Sequence, residues 1–200
     1  MKYLKIALSL LFLLVIFASS VATEPPAQAQ TGESSPEYET GVYTPGVDDP
    51  AVPSAIAGFT DLVAHGSAWR PQTPWNLAYF KPYGWGTEIK GKGAGDQWIH
   101  MPIPYASYID ATALKVSHIE FCAKSTNGAL TKPTRLDLWS NWDKIAQYTI
   151  TWPADNGQHC AWVNYSTPAW RESLGMSVLV HFANATDRVV LYKAWVRLVP

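Results

Sequence analysis

Trp139-Ser140-Asn141-Trp142-Asp143 is the stretch of this chain whose residue types best suit work on a ligand. Each indole offers a wide apolar face and one N–H donor. The neighbouring carboxamide and carboxylate add hydrogen-bonding groups. A pyranose ring needs this mixture, because it presents apolar C–H faces edged by hydroxyls. Trp139, Asn141, Trp142 and Asp143 are therefore the expected ligand-binding set. A second aromatic region combines Trp69, Trp75, Tyr79, Tyr83 and Trp85 with Arg70. All ten tryptophans lie after residue 68. Tryptophan is highly buried on average, so the competing expectation is that most of these rings fill a core.

Catalytic patterns are missing. The chain has no His-Glu-x-x-His, no Gly-x-Ser-x-Gly, no phosphate loop and no dinucleotide fingerprint. Glu120 and Asp137 are the acids that fall well inside extended segments. Facing one another across a groove, they would make a glycosidase pair; a solvated position on a polar face is the simpler expectation for each. His118 and Glu120 stand two apart, as metal ligands sometimes do, but no third ligand completes a recognisable set. His100 reads as a structural histidine, and Gly91-Lys92-Gly93-Ala94-Gly95 as a hairpin turn. The expectation is a non-catalytic chain with no cofactor and no metal.

Short apolar-alternating segments recur, punctuated by Gly, Pro, Asn and Asp. Strands are expected near Phe59–His65, Asn76–Phe80, Trp85–Lys90, Gln97–Ile103, Leu114–Lys124, Arg135–Trp139, Ile145–Thr151, Ala161–Asn164, Met176–Phe182 and Arg188–Leu198. In the last of these, Val190, Tyr192, Ala194, Val196 and Leu198 would share one face. The segment from Leu114 keeps its apolar residues on one side only if a β-bulge at Ser117-His118 shifts the phase. Pro168–Leu174 reads as one short turn. The fold class that follows is all-β: a two-layer antiparallel β-sandwich, jelly-roll-like. A barrel is the alternative. The two cysteines, Cys122 and Cys160, are expected to form one disulfide, contributing about 3–4 kcal/mol through loop entropy.

The N-terminus reads as an export signal. Lys2 and Lys5 precede an apolar run from Ile6 to Phe17, and Ser20-Val21-Ala22 offers small residues for cleavage. Thr23 to Gly58 carries six acids, no Lys or Arg, and several prolines. Such a segment cannot bury enough apolar area to offset its ordering entropy. The expected organisation is residues 1–22 as signal peptide, 23–58 as a disordered Pro-rich acidic linker and 59–200 as the β-sandwich domain. Phe59 to Pro200 holds thirteen basic against ten acidic side chains. That balance lacks the footprint of a nucleic-acid binder. No later segment approaches a membrane span, and the localisation expected is secreted or extracytoplasmic.

Several motifs in order carry a family resemblance: His65-Gly66, Gly84-Trp85-Gly86-Thr87, Trp98-Ile99-His100-Met101-Pro102-Ile103-Pro104, Leu114-Lys115-Val116, Ile119-Glu120-Phe121 and Gly175-Met176-Ser177-Val178. Over about residues 65–200 the chain resembles a bacterial domain-of-unknown-function family. The resemblance implies a single β-sandwich domain and transfers no activity. The cysteine pair and the linker depart from it. The functional expectation comes from the residues: a secreted non-catalytic module that binds glycans or a surface polymer through exposed aromatics. The alternatives are a structural or adhesive envelope or matrix protein with protein partners, and a sandwich-fold glycosidase or lyase.

Overall fold

The computed structural model describes residues 39–43, 60–105, 108–109, 112–171 and 173–200. The expected signal peptide and most of the expected linker lie outside the described residues. Alternation of apolar and polar side chains dictates extended chain almost throughout. In chain order the strands are β1 (Glu39–Tyr43), β2 (Thr60–Ala64), β3 (Arg70–Pro71), β4 (Leu77–Tyr83), β5 (Gly86–Gly91), β6 (Gly95–Ile103) and β7 (Tyr108–Ile109). They continue with β8 (Thr112–Ala113), β9 (Lys115–Ser125), β10 (Lys132–Ser140), β11 (Asp143–Ile150), β12 (Gln158–Trp170), β13 (Leu174–Phe182) and β14 (Arg188–Val199). The helical turns among the described residues are two single 3₁₀ turns, Gly66–Ala68 and Pro74–Asn76.

Two six-stranded sheets and a separate two-stranded ladder, β7–β8, result, and the barrel alternative falls. The first sheet has the order β1-β11-β10-β13-β6-β3. The second has the order β12-β9-β14-β5-β4, with β2 also paired to β14. Pairing is antiparallel except where β1 runs parallel to β11. The inner face of the first sheet presents Ile99, Met101, Leu136, Leu138, Val178 and Val180. The second answers with Ile119, Phe121, Leu191, Val196 and Leu198. Each such side chain, removed from water, contributes about 1.5–3 kcal/mol. The result is the two-layer β-sandwich that the alternation implies.

The bulge on β9 falls where the phase argument puts it. His118 pairs with Asn164 and Arg197, whereas Val116 pairs with Ala169 and Leu198, leaving Ser117 as the extra residue. Ile119 and Phe121 thereby stay inward. Other expectations need correction. Residues 39–43, assigned by composition to the linker, form β1: Thr40, Val42 and Tyr43 are strand formers, and the edge of β11 supplies a ladder for them. Pro168–Leu174 is not one turn, since β12 runs to Trp170 and β13 begins at Leu174. The Gly91–Gly95 run is not a hairpin turn: it carries the chain from β5 in one sheet to β6 in the other. Finally, β14 does not keep one face. A register shift between Leu191 and Ala194 changes the phase, so Val189 and Leu191 point inward before it, and Ala194, Val196 and Leu198 after it.

Cys122 and Cys160 are direct cross-strand partners on β9 and β12 and form the disulfide. Cys122 sits opposite in phase to the inward Phe121, so the link lies on the outer side of the second sheet. Among the described residues, no helix is long and apolar enough to cross a membrane.

Candidate functional site

The outward residues of the first sheet form ladders across its strands. Register alone aligns Arg70 of β3, His100 of β6, Ser177 of β13, Asp137 of β10 and Gln147 of β11 in one row. One row along, Pro102, Gly175 and Trp139 stand side by side. On the other side lie Trp98, Leu179 and Arg135. Two indole-bearing rows thus flank a polar row.

The polar row is tightly bonded. His100 Nδ1 lies 2.7 Å from Ser177 Oγ. Burial disfavours the charged imidazolium, so the His100 pKa lies below its ordinary value of 6.5. Asp137 is 2% exposed. Arg135 donates to both its carboxylate oxygens, at 2.7 and 2.6 Å. Lys144 Nζ stands 3.9 Å from Asp137 Oδ2 and donates to Gln147 at 2.9 Å. The Arg135 guanidinium also covers the Trp98 ring, 5.0 Å from its centroid.

Beside this network is a depression of about 390 Å³, walled by Trp139 and Pro102, with His100, Ser177 and Met101 contributing. Gly175 keeps it open: a Cβ there would meet only Trp139 Cβ, at 3.8 Å, and would fill the gap between Trp139 and Pro102. The Trp139 indole N–H is shielded from solvent and has no acceptor among the described residues. The wall is therefore an aromatic face with His100 and Ser177 as nearby polar groups.

The structure spreads the four expected ligand residues along one hairpin. Trp139 is half-buried on the sheet face, whereas Trp142 is 95% exposed at the β10–β11 tip. A register shift between Leu138 and Trp139 separates their environments. Asn141 takes a left-handed φ of 53°, which Asn tolerates. Its backbone N–H donates to Ser173 Oγ at 2.7 Å, and Ser173 Oγ donates back to its carboxamide oxygen at 2.9 Å. Asn141 therefore fixes the turn that displays Trp142. Asp143 opens β11 and is exposed.

The remaining aromatic expectations divide. Trp69 and Trp152 belong to the core, at 0% and 3% exposure. Trp75 and Trp85 are exposed. Tyr83 stacks on Trp85, and Trp162 packs against Trp195 with centroids 4.5 Å apart. The contributions of Pro102 and Gly175 to the depression were not legible from composition; only cross-strand register places them beside Trp139.

The glycosidase pair is contradicted. Glu120 faces outward from β9 of the second sheet, pairing with Trp162 and Trp195. Asp137 faces outward from β10 of the first sheet. The sandwich lies between them, so they cannot flank one bond. Glu120 instead meets Lys193 Nζ at 3.4 Å. The ligating atoms of Glu120, Cys122 and Cys160 lie within 4.8 Å of one another, but sulfurs bonded to each other offer no thiolate to a metal. His118 stacks edge-on with Trp162 and lies 2.8 Å from Ser117 Oγ.

No protein-family model matches the chain, so the resemblance to an uncharacterised domain family gains no support from one. No curated protein matches it. Among solved structures it is similar to the CBM36-1 domain of a multidomain xylanase from the hindgut metagenome of Trinervitermes trinervoides, at 8% identity and a TM-score of 0.40, covering 68% of this chain and 96% of that one. It is also similar to the C-terminal CBM6 of LamC from Zobellia galactanivorans, at 12% identity and a TM-score of 0.40, covering 70% and 100%. A family two carbohydrate esterase from Cellvibrio japonicus matches at 10% identity and a TM-score of 0.37, covering 71% of this chain and 36% of that one. These likenesses are loose, and no functional statement about this chain rests on them.

Proposed function

We propose that the chain is a non-catalytic module that binds glycans or a surface polymer on the outer face of its first sheet. The observation that carries this reading is the open depression beside Trp139, kept clear by Gly175 and edged by His100 and Ser177. Ligand sites are concave, mostly apolar, and carry a few placed polar groups. A sugar ring would lay its apolar C–H face on the Trp139–Pro102 wall, with half-buried His100, itself bonded to Ser177, as the adjoining polar side chain, and the next ring along a polymer would meet Trp142. Residues 59–200 are the proposed binding domain. We place its work outside the cytoplasm, from the leader-like residues 1–22 and the single disulfide.

Affinity electrophoresis of the full chain through gels holding soluble β-glucan, xylan, galactan or chitosan tests the reading. At least one polymer should retard the wild-type chain, and Trp142→Ala and Gly175→Val should each weaken that retardation. Unchanged mobility in all four gels would count against glycan binding.

A further inference from the structure

The second sheet carries an aromatic cluster that its core packing does not use. Tyr83 and Trp85, at the β4–β5 turn, lie parallel within 4° with centroids 4.8 Å apart. They are 38% and 52% exposed. Tyr192 lies 6.1 Å from Trp85. Single exposed aromatics need no explanation, but a contiguous group of them marks an interaction site.

The backbone beneath this group is held from several sides. A Cβ on Gly66 would stand 2.6 Å from the Tyr192 carbonyl oxygen, and one on Gly86 2.7 Å from that of Leu191, so both positions exclude a side chain. The fully buried Trp69 donates its indole N–H to the Tyr192 carbonyl at 2.7 Å. Thr87 donates to the Gly66 carbonyl at 2.7 Å, and His65 Nε2 lies 3.0 Å from the Gly84 carbonyl oxygen. Rings displayed to solvent on such a fixed base have lost their ordering entropy before any ligand arrives.

The surroundings select the ligand. Lys193, next to Tyr192, is charge-matched by Glu120 at 3.4 Å. On the same outer face Lys81 stands opposite Glu88 in the β4–β5 ladder and Arg188 lies 3.6 Å from Glu88, so cations and carboxylates are interspersed there, hydrogen-bonding groups of both kinds that a neutral polyhydroxyl ligand can use.

We propose that Tyr83, Trp85 and Tyr192 form a second stacking site for a neutral pyranose, on the sheet opposite Trp139. This rests on the glycan-binding reading above. It makes the domain bivalent, able to bridge two polymer strands through its two sheets.

Calorimetric titration of the full chain with the β-1,4-linked hexasaccharides of glucose, xylose, galactose and N-acetylglucosamine tests this. For a bound sugar the wild-type stoichiometry should approach two. It should fall to one in Tyr83→Ala/Trp85→Ala and to one in Trp142→Ala/Gly175→Val. All variants should keep the wild-type circular dichroism spectrum, and Trp85→Phe should retain partial affinity. A stoichiometry of one that Tyr83→Ala/Trp85→Ala leaves intact overturns the second site while sparing the first. A stoichiometry of one abolished by Tyr83→Ala/Trp85→Ala supports this site and removes the Trp139 face. Absence of binding to all four sugars overturns both.

Discussion

Trp142 is 95% exposed, so its indole contributes little to the fold. Trp142→Ala should change stability by less than about 0.5 kcal/mol, read by thermal melting, while reducing glycan retardation. Asp137 is the reverse case. Its buried carboxylate holds Arg135 and Lys144 in place. Breaking a buried pair costs about 3–5 kcal/mol, and the partial exposure of Arg135 lowers this, so Asp137→Ala should cost about 2–3 kcal/mol in chemical denaturation. His100 adds a pH dependence. Its folded pKa is depressed by burial from 6.5, so above that pH both folded and unfolded chains hold it neutral. As pH falls below about 6.5 the unfolded chain takes up the proton first. Stability should therefore fall on acidification through this range, and His100→Gln should flatten the slope. At this scale the sequence revealed the residue types and hid their surroundings. Trp139 and Trp142 look equivalent in a five-residue motif; the strand face half-buries one and the hairpin tip exposes the other.

Strands were the most legible elements, because period-two alternation directly reports which side is buried. The bulge at Ser117 could be inferred, since without it Ile119 and Phe121 would face water. The shift in β14 could not, because Val190, Tyr192, Ala194, Val196 and Leu198 give an unbroken apolar alternation that tertiary packing then interrupts. Nor could β1 and β3. The first depends on the free edge of β11 rather than on its acidic, proline-rich neighbourhood, and the second is two residues long and includes Pro71. Glycine positions show the same limit. Nothing in the local sequence around Gly66 and Gly86 announces that each lies against the backbone of β14. Gly66→Ala and Gly86→Ala should each lower stability by more than about 2 kcal/mol, whereas Gly84→Ala, with open space around it, should change it far less. Denaturant midpoints of the three variants separate these outcomes.

The molecule is a sandwich whose inner faces pack on one another and whose outer faces carry the two proposed ligand sites. The disulfide ties β9 to β12 across 38 positions of sequence. Cys122→Ser/Cys160→Ser should cost about 2–4 kcal/mol of stability by loop entropy and leave any binding on the first sheet unchanged below the melting temperature. The placement of Trp139 beside Gly175 and His100 comes from three strands widely separated in sequence, which is why the fold class was readable in advance and the shape of the site was not. The most direct measurement is the migration of the full chain through polysaccharide gels, alongside Trp142→Ala and Gly175→Val. At least one polymer should retard the wild-type chain, and both variants should be retarded less. Equal, unretarded migration of all three proteins in every gel would contradict the proposed binding.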